Sequence, residues 1–278
     1  MQALAAMPLT VAAAVRVVLT DIDDTLTTEG RLPADAYAAL ERLEAAGIQV
    51  VPITGRPAGW CDHIARMWPV RAVVGENGAF YYAYDRQARR MTTHYWTDAA
   101  SRQASRKRLD AIRDRVLAEV PGCAVASDQD YRVADLAIDF CEDVPALPDS
   151  AVSKIVQIFQ DAGAQAKVSS IHVNGWFGDY DKLTMTRTMF QREFGQDVAD
   201  ALDSTLFIGD SPNDEPMFAY FPISVGVANI QAQLHRLKDR PAFVAAYHGG
   251  AGFVEMANRL LAARQQPQAA PSSPARLA

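Results

Sequence analysis

The sequence predicts an α/β fold in which a doubly wound, Rossmann-like parallel sheet forms the core and an α+β cap is inserted into it. Short apolar strand patterns alternate with amphipathic helix patterns in residues 1–84 and again in residues 179–264. Such alternation is typical of parallel βαβ units. Between these segments, residues 85–178 contain alternating strand patterns beside a hairpin turn, which indicates antiparallel pairing. The first two segments are therefore predicted to form one core domain, and the third a cap domain.

Composition and charge limit the class of protein. The chain has 278 residues, of which 49% are hydrophobic, and 27 basic against 33 acidic residues give a net charge of -6. This charge argues against a nucleic acid or an anionic membrane as partner. No apolar run approaches the ~18 residues of a membrane-spanning helix. The 3 cysteines suggest neither a disulfide framework nor a zinc site. We expect a cytoplasmic protein that is a monomer or a small homo-oligomer.

The first strand pattern ends in carboxylates. The largely apolar and β-branched stretch 15–20 leads directly into Asp21, Asp23 and Asp24. Ligands of open α/β sheets bind beyond the carboxyl ends of the strands. Clustered carboxylates raise one another's pKa unless a cation is present. This stretch therefore predicts a divalent metal site, and every later motif is judged by whether it faces Asp21.

The next strands bring more polar residues to the same edge of the predicted sheet. A helix pattern at residues 33–46 precedes a strand at residues 48–53, which ends in the loop Thr54-Gly55-Arg56. A second helix pattern leads to a strand at residues 71–74 and the loop Glu76-Asn77-Gly78. The first loop is a candidate phosphate cradle. The second loop either reaches the substrate or forms a tight turn.

The rest of the chain continues both patterns. Strands at residues 79–84 and 90–96 are predicted to form a hairpin, and the inserted segment then predicts helices at 101–120 and 149–163 and further strands at 132–140 and 164–173. The parallel pattern then resumes with a helix at 182–194, strands at 204–210 and 223–227, a short helix at 231–237 and a closing helix at 252–263. Residues 265–278 are rich in Pro, Gln, Ala and Ser, and they are predicted to be a disordered tail.

Four groups of residues meet at the predicted edge: Asp21 with Asp23, Thr54 with Gly55, Lys182, and Asp210 with Asn213 and Asp214. Phosphoryl transfer needs a nucleophile, a hard cation and fixed donors to the phosphate oxygens. One aspartate can attack phosphorus and form an aspartyl-phosphate, while a second, two residues later, can move protons. Oxygen ligands from Asp21, Asp210 and a backbone carbonyl suit Mg²⁺. Each group alone is also explained as a turn, a helix cap or a solvated charge, and their joint occurrence favours chemistry.

These motifs resemble those of the haloacid dehalogenase superfamily of aspartate-nucleophile phosphatases. The D-x-D-x-T motif is matched by Asp21 to Thr25, the threonine that ends the second strand by Thr54, the lone lysine by Lys182, and the G-D-x-x-N-D motif by Gly209 to Asp214. The resemblance extends from about Val15 to Leu261. The D-x-D-x-T and G-D-x-x-N-D motifs are highly specific as a pair.

The resemblance implies a role for each matched residue. Asp21 is the nucleophile, and Asp23 is the general acid and base and binds Mg²⁺ through its backbone carbonyl. Thr54 and Lys182 bind the phosphate, and Asp210 binds the metal.

The resemblance leaves the neighbouring residues with less specific roles. Asn213 and Asp214 orient the metal shell or Lys182, so we count Asn213 with the substrate ligands and Asp214 with the metal ligands. Gly55, Arg56 and Asn77 are further candidate substrate ligands, with a surface salt bridge as the alternative for Arg56. Asp24 is left as a solvent-facing or capping group.

The inserted segment resembles the type IIB cap, whose subgroup includes phosphatases of sucrose, trehalose and mannosylglycerate phosphates. The expected function is thus Mg²⁺-dependent hydrolysis of a small phosphorylated metabolite, with a sugar phosphate as the favoured class. His172 is either a packed residue or a sugar ligand. A phosphotransferase or phosphomutase on the same site and a phospho-accepting regulatory module stay as alternatives. An EF-hand is excluded, since Leu26 and Leu32 stand where its loop needs Gly and Glu.

Overall fold

A computed structural model describes residues 1–265. The helices are α1 (Leu9–Ala14), α2 (Ala34–Ala45), α3 (Ala58–Met67), α4 (Ala99–Glu119), α5 (Asp149–Asp161), α6 (Lys182–Glu193), α7 (Glu215–Tyr220) and α8 (Gly249–Gln265). The strands are β1 (Gln2–Ala3), β2 (Val17–Thr20), β3 (Gln49–Pro52), β4 (Val73–Gly75), β5 (Phe80–Asp85), β6 (Arg90–Tyr95), β7 (Ala124–Val125), β8 (Leu136–Asp139), β9 (Gln165–Val168), β10 (His172–Trp176), β11 (Thr205–Gly209), β12 (Ile223–Gly226) and β13 (Phe243–Val244). The predicted tail lies outside the described residues, except for Gln265, which ends α8.

The core is a parallel sheet of 6 strands in the order β1-β13-β12-β11-β2-β3. All residues of β2 are buried, because helices cover both faces of the sheet. Val18 packs in the apolar core on one face, together with α2 and α8, while Leu19 packs on the other face with α6. The neighbouring strands β2 and β11 are in register, with Thr20 opposite Ile208, so the residues that follow them lie side by side. This arrangement confirms the predicted doubly wound fold class.

The predicted third strand forms, but it pairs mainly with a hairpin. β4 is antiparallel to β5, which is antiparallel to β6, and the three strands make a separate sheet. A single parallel bridge between Ile53 and Val74 links this sheet to the core.

The inserted segment contains an antiparallel sheet of 4 strands in the order β7-β8-β10-β9. α4 and α5 cover this sheet with an apolar core of its own, which includes Ile112 and Phe159. β8 is shorter than the predicted strand at residues 132–140. The N–H groups of residues 133–135 donate to the carboxylate of Glu76 instead of to a neighbouring strand. The bounds of the cap domain stay a prediction.

The ends of the core contain elements that were not predicted. β1 pairs with β13 at the edge of the parallel sheet, and α1 packs on α8. The helix predicted at residues 231–237 is a 3₁₀ helix over Ala228–Arg236. The 3 cysteines are unpaired, as expected. Among the described helices, none combines the length and the apolar character that crossing a bilayer requires.

Candidate active site

Lys182 joins two of the predicted aspartates at the carboxyl edge of the parallel sheet. Its Nζ donates to Oδ1 of Asp21 at 2.6 Å and to Oδ1 of Asp214 at 2.7 Å. All three side chains are buried. Lys182 is the first residue of α6, and the Asp181 side chain caps this helix by accepting from the N–H of Thr184. The cap fixes the start of the helix, and with it the position of the ammonium group.

Three buried carboxylates form a cluster that could bind a metal ion. One oxygen each from Asp21, Asp210 and Asp214 lie within 4.8 Å of one another. The hydroxyl of Thr25 donates to Oδ1 of Asp210 at 3.2 Å, and Nδ2 of Asn229 donates to Oδ2 at 3.1 Å. Carboxylate oxygens are the ligands that hard divalent cations prefer, so the donor set fits such an ion.

Burial makes this cluster costly to ionise without a cation. Burial raises the pKa of Asp21 to about 8 although Lys182 lowers it, and the charges of Asp214 and Asp23 add to the rise. The pKa of Asp210 is raised well above its ordinary value by burial and then by Asp21 and Asp214. Burial opposes the charge of Lys182, but the two carboxylates that it contacts raise its pKa. A bound cation would favour the ionised carboxylates.

Asp214 also holds the loop that follows β11. Its Oδ2 accepts from the N–H groups of Asp210 at 3.1 Å and Ser211 at 3.3 Å. A Cβ at Gly209 would lie 2.4 Å from this oxygen, which explains why glycine occupies that position. The carbonyl oxygen of the Asn213 side chain accepts from the Ser211 hydroxyl at 2.7 Å. Asp214 therefore links the loop to Lys182.

Asp23 lies apart from the carboxylate cluster and is held by Arg56. Nε of Arg56 donates to both Asp23 oxygens, at 3.0 and 3.1 Å, and Nη2 donates to Oδ1 at 2.9 Å. The same guanidinium reaches Glu142 at 2.8 Å and Asp128 at 3.4 Å in the inserted segment. Burial opposes the charge of Arg56, but Asp23 and Glu142 raise its pKa. Arg56 is thus a buried link between the parallel core and the insertion, not a surface salt bridge.

The loop after β3 packs against the loop after β4. The Thr54 hydroxyl accepts from the N–H of Arg56 at 3.0 Å, and the Thr54 carbonyl accepts from the N–H of Asn77. A Cβ at Gly55 would lie 3.1 Å from Nδ2 of Asn77. Asn77 has a φ of 54°, a left-handed conformation that asparagine tolerates better than most residues. The two loops therefore place these predicted substrate ligands together.

The inserted segment closes over these residues. A cavity of about 10 Å³ remains between them, enough for about one water molecule. Asp21, Gly55 and Asn213 line it from the core, and His172 and Asn174 line it from β10. His172 Nε2 is 2.9 Å from Oε2 of Glu142. His172 thus faces the candidate site and also packs within the protein.

Three residues of the site escaped prediction. Asn229 follows the next strand of the same sheet, β12, so the rule that placed Asp210 at a strand end also applies to it. Arg132 donates to the Gly55 carbonyl at 2.9 Å, and Glu142 pairs with Arg56. Both come from the insertion, where no motif marked them.

One family model matches part of the chain. Residues 18–105 match the family model described as haloacid dehalogenase-like hydrolase. No curated protein has a sequence that matches the chain significantly.

Solved structures resemble the chain over most of its length. A protein from Thermoplasma acidophilum superposes with a TM-score of 0.67 at 18% identity, covering 89% of this chain and 98% of its own. The sucrose-phosphatase from Synechocystis sp., solved in complex with sucrose and phosphate, has a TM-score of 0.60 at 15% identity and covers 88% and 97%. A trehalose-6-phosphate phosphatase related protein has a TM-score of 0.58 at 15% identity and covers 89% and 96%. At these identities the likeness shows the fold.

Proposed function

We propose that the chain is a haloacid dehalogenase-like hydrolase and a phosphatase of small phosphorylated metabolites, since residues 18–105 match that family model and a sucrose-phosphatase is among the solved structures that share its fold. The observation that carries the proposal is the contact of Lys182 with Asp21 and Asp214, beside Asp210, at the ends of adjacent strands. This arrangement supplies a nucleophile, a cation at the phosphate and a site for a second cation, which are the requirements of phosphoryl transfer.

The proposed reaction has two displacements at phosphorus. A carboxylate oxygen of Asp21 attacks phosphorus, and the bond to the leaving alcohol breaks as Asp23 donates a proton to its oxygen. Water then attacks the aspartyl-phosphate while Asp23 takes up its proton, which releases inorganic phosphate and restores Asp21. Lys182 holds one oxygen of Asp21 and so orients the attacking carboxylate.

The other predicted residues bind the phosphoryl group or the metal. The proposed ligands of the phosphoryl oxygens are Thr54, Gly55, Lys182 and Asn213. Asp21, Asp210 and Asp214, with the backbone carbonyl of Asp23, would hold Mg²⁺. When bound, this ion neutralises negative charge on the transferred group.

The substrate class is proposed from the likeness to named proteins. A sugar phosphate is the first class to test, because a sucrose-phosphatase and a trehalose-6-phosphate phosphatase related protein share the fold. Because both proteins are only 15% identical to this chain, the leaving group of its substrate has to be inferred from the cavities of the chain itself.

The test is hydrolysis of a phosphate ester by Asp21→Asn. We expect phosphate release by the wild type with Mg²⁺, its loss in EDTA, and its loss in Asp21→Asn while circular dichroism shows that the variant is folded. Asp24→Asn is the matched control, since Asp24 has no proposed role, and it should retain turnover. Turnover by Asp21→Asn at the wild-type rate would overturn the mechanism.

A further inference from the structure

A second, larger cavity opens next to Asp23. It has a volume of about 580 Å³, within the range of small-molecule sites. Most of its wall is apolar or aromatic, and it includes Trp60, Trp68 and Tyr131. Asp23 and Arg56 line both this aromatic cavity and the small polar one beside Asp21, so their ion pair forms a shared wall.

Trp60 presents a ring at this wall. Cζ of Arg56 lies 4.4 Å from the centroid of the Trp60 ring, so the guanidinium that holds Asp23 also covers part of the indole. The side chain nevertheless stays 43% exposed. Tyr131, from the inserted segment, is 60% exposed and packs on Gly59. A Cβ added at Gly59 would lie 3.0 Å from the Cβ of Tyr131. Large aromatic surface left in contact with water favours a ligand that covers it.

The proposed chemistry fixes where the leaving group must begin. If Asp23 protonates the leaving oxygen, that oxygen lies within hydrogen-bond distance of its carboxylate. The polar cavity, at about 10 Å³, must widen even to admit the phosphoryl group, whereas the aromatic cavity starts at Asp23 and already has room for an organic group. The phosphoryl group and the leaving group therefore belong on opposite sides of the Asp23–Arg56 pair.

We propose that the aromatic cavity binds the leaving group of the substrate and that this group is an aromatic or heteroaromatic ring. The inference rests on the proposed phosphatase function and puts an aryl phosphate in place of a sugar phosphate as its substrate class. Each hydroxyl of a buried sugar needs a polar partner. Besides Asp23 and Arg56, the wall offers the Thr27 hydroxyl, which already donates to the Ile22 carbonyl, and single polar groups on His63 and on the aromatic side chains Trp60, Trp68 and Tyr131. A flat ring instead stacks on Trp60 and fills the apolar space.

The experiment compares phenyl phosphate and glycerol phosphate as substrates. Phenol is intrinsically a better leaving group than an alcohol, so the decisive quantity is the change in kcat/KM between variants for each ester. Trp60→Ala should lower kcat/KM roughly tenfold for phenyl phosphate and leave glycerol phosphate within roughly twofold. Trp60→Phe should retain most of the phenyl phosphate activity. Trp96→Ala, which removes a similarly exposed indole away from both cavities, should change kcat/KM for neither substrate.

Two outcomes would contradict the inference. An equal loss for both esters in Trp60→Ala would mean that Trp60 acts only by positioning Arg56 and Asp23. No loss for phenyl phosphate would mean that its ring lies elsewhere.

Binding separates this inference from the phosphatase proposal. In Asp21→Asn, phenyl phosphate should bind roughly tenfold more tightly than inorganic phosphate by calorimetry, and Trp60→Ala in that background should remove the difference. If the wild type hydrolyses no ester but binding depends on the ring, the phosphatase proposal fails and the ring site stands. Equal affinity for phenyl phosphate and inorganic phosphate would overturn the ring site even in an active enzyme.

Discussion

Arg56 binds Asp23 through both carboxylate oxygens, at 2.9 to 3.1 Å, and binds Glu142 of the inserted segment with the same guanidinium. Both oxygens of the Asp23 carboxylate thus already accept hydrogen bonds from Arg56. Asp23 must therefore loosen its contact with Arg56 before it can donate a proton to a leaving group. Since Glu142 lies in the insertion, opening of the cap is a movement that would shift Arg56. We therefore expect a change in cap position to alter the contact on which the proposed proton transfer depends.

The first prediction concerns the geometry of this pair. Lysine carries the same charge as Arg56 but cannot reproduce the fork that contacts Asp23 and Glu142 together. We expect Arg56→Lys to lower kcat/KM roughly tenfold, because the Asp23 carboxylate loses its fixed orientation. Arg66→Lys is the matched control, since Arg66 forms an exposed i,i+4 pair with Asp62 on the same helix. Equal activity of the two variants would remove Arg56 from the mechanism.

The second prediction concerns pH and the cap-side partner of Arg56. His172 and then Arg56 lower the pKa of Glu142 from its ordinary 4.5 to about 2. A lowered folded-state pKa adds stability that is present above pH 4.5 and is lost as the pH falls towards about 2. Glu142→Gln should therefore reduce the free energy of unfolding by about 1 kcal/mol at neutral pH, after allowance for solvent screening.

Urea unfolding of the wild type and Glu142→Gln at about pH 6 and about pH 3.5 measures this difference, which should shrink at the lower pH. A gap that is the same at both pH values would mean that ionisation of Glu142 does not stabilise the closed cap.

The site residues that follow core strands could be predicted because the rule behind them is local. A parallel strand ends at a known edge, so Asp21, Thr54 and Asp210 could be placed together from periodicity alone. No such rule applied to Lys182, and its prediction depended on its position at the start of a helix. Arg132 and Glu142 were missed, because their approach to Arg56 and Gly55 depends on how the inserted sheet packs on the core. No spacing in the sequence encodes that packing.

The same distinction applies to the fold. The strands β2, β3 and β11 follow from apolar runs with turn residues behind them. The antiparallel pairing of β4 could not be predicted, because residues 71–74 are equally suited to a parallel or an antiparallel neighbour. The early end of β8 depends on Glu76, which is distant in sequence and draws residues 133–135 out of strand pairing.

The third prediction tests the choice of lysine. Lys182→Ala leaves the buried carboxylates of Asp21 and Asp214 without their shared cation. We expect loss of detectable turnover and a decrease of about 3–5 kcal/mol in the free energy of unfolding without divalent ions. Added Mg²⁺ should restore part of that stability. Lys167→Ala is the control, because Lys167 is exposed on β9. Turnover retained by Lys182→Ala and lost in Lys167→Ala would reverse the assignment.

The fourth prediction concerns the link between core and insertion made by Glu76. Its carboxylate is fully buried and accepts from the N–H groups of Ala58, Val133, Ala134 and Asp135 at 2.7 to 3.1 Å. Glutamine replaces one of the two accepting oxygens with an NH₂ group that faces N–H donors. Glu76→Gln should therefore lower the free energy of unfolding by about 2 kcal/mol.

Glu193→Gln provides the comparison, because Glu193 is only partly buried. It forms an ion pair with Arg71 and accepts from the Tyr81 hydroxyl. Urea unfolding should show the larger loss for Glu76→Gln. Limited proteolysis should also cut this variant faster within residues 126–135, since those N–H groups lose their acceptor and the segment opens from the core. Equal stability and equal cleavage in the two variants would mean that backbone packing alone, without the carboxylate, holds the insertion in place.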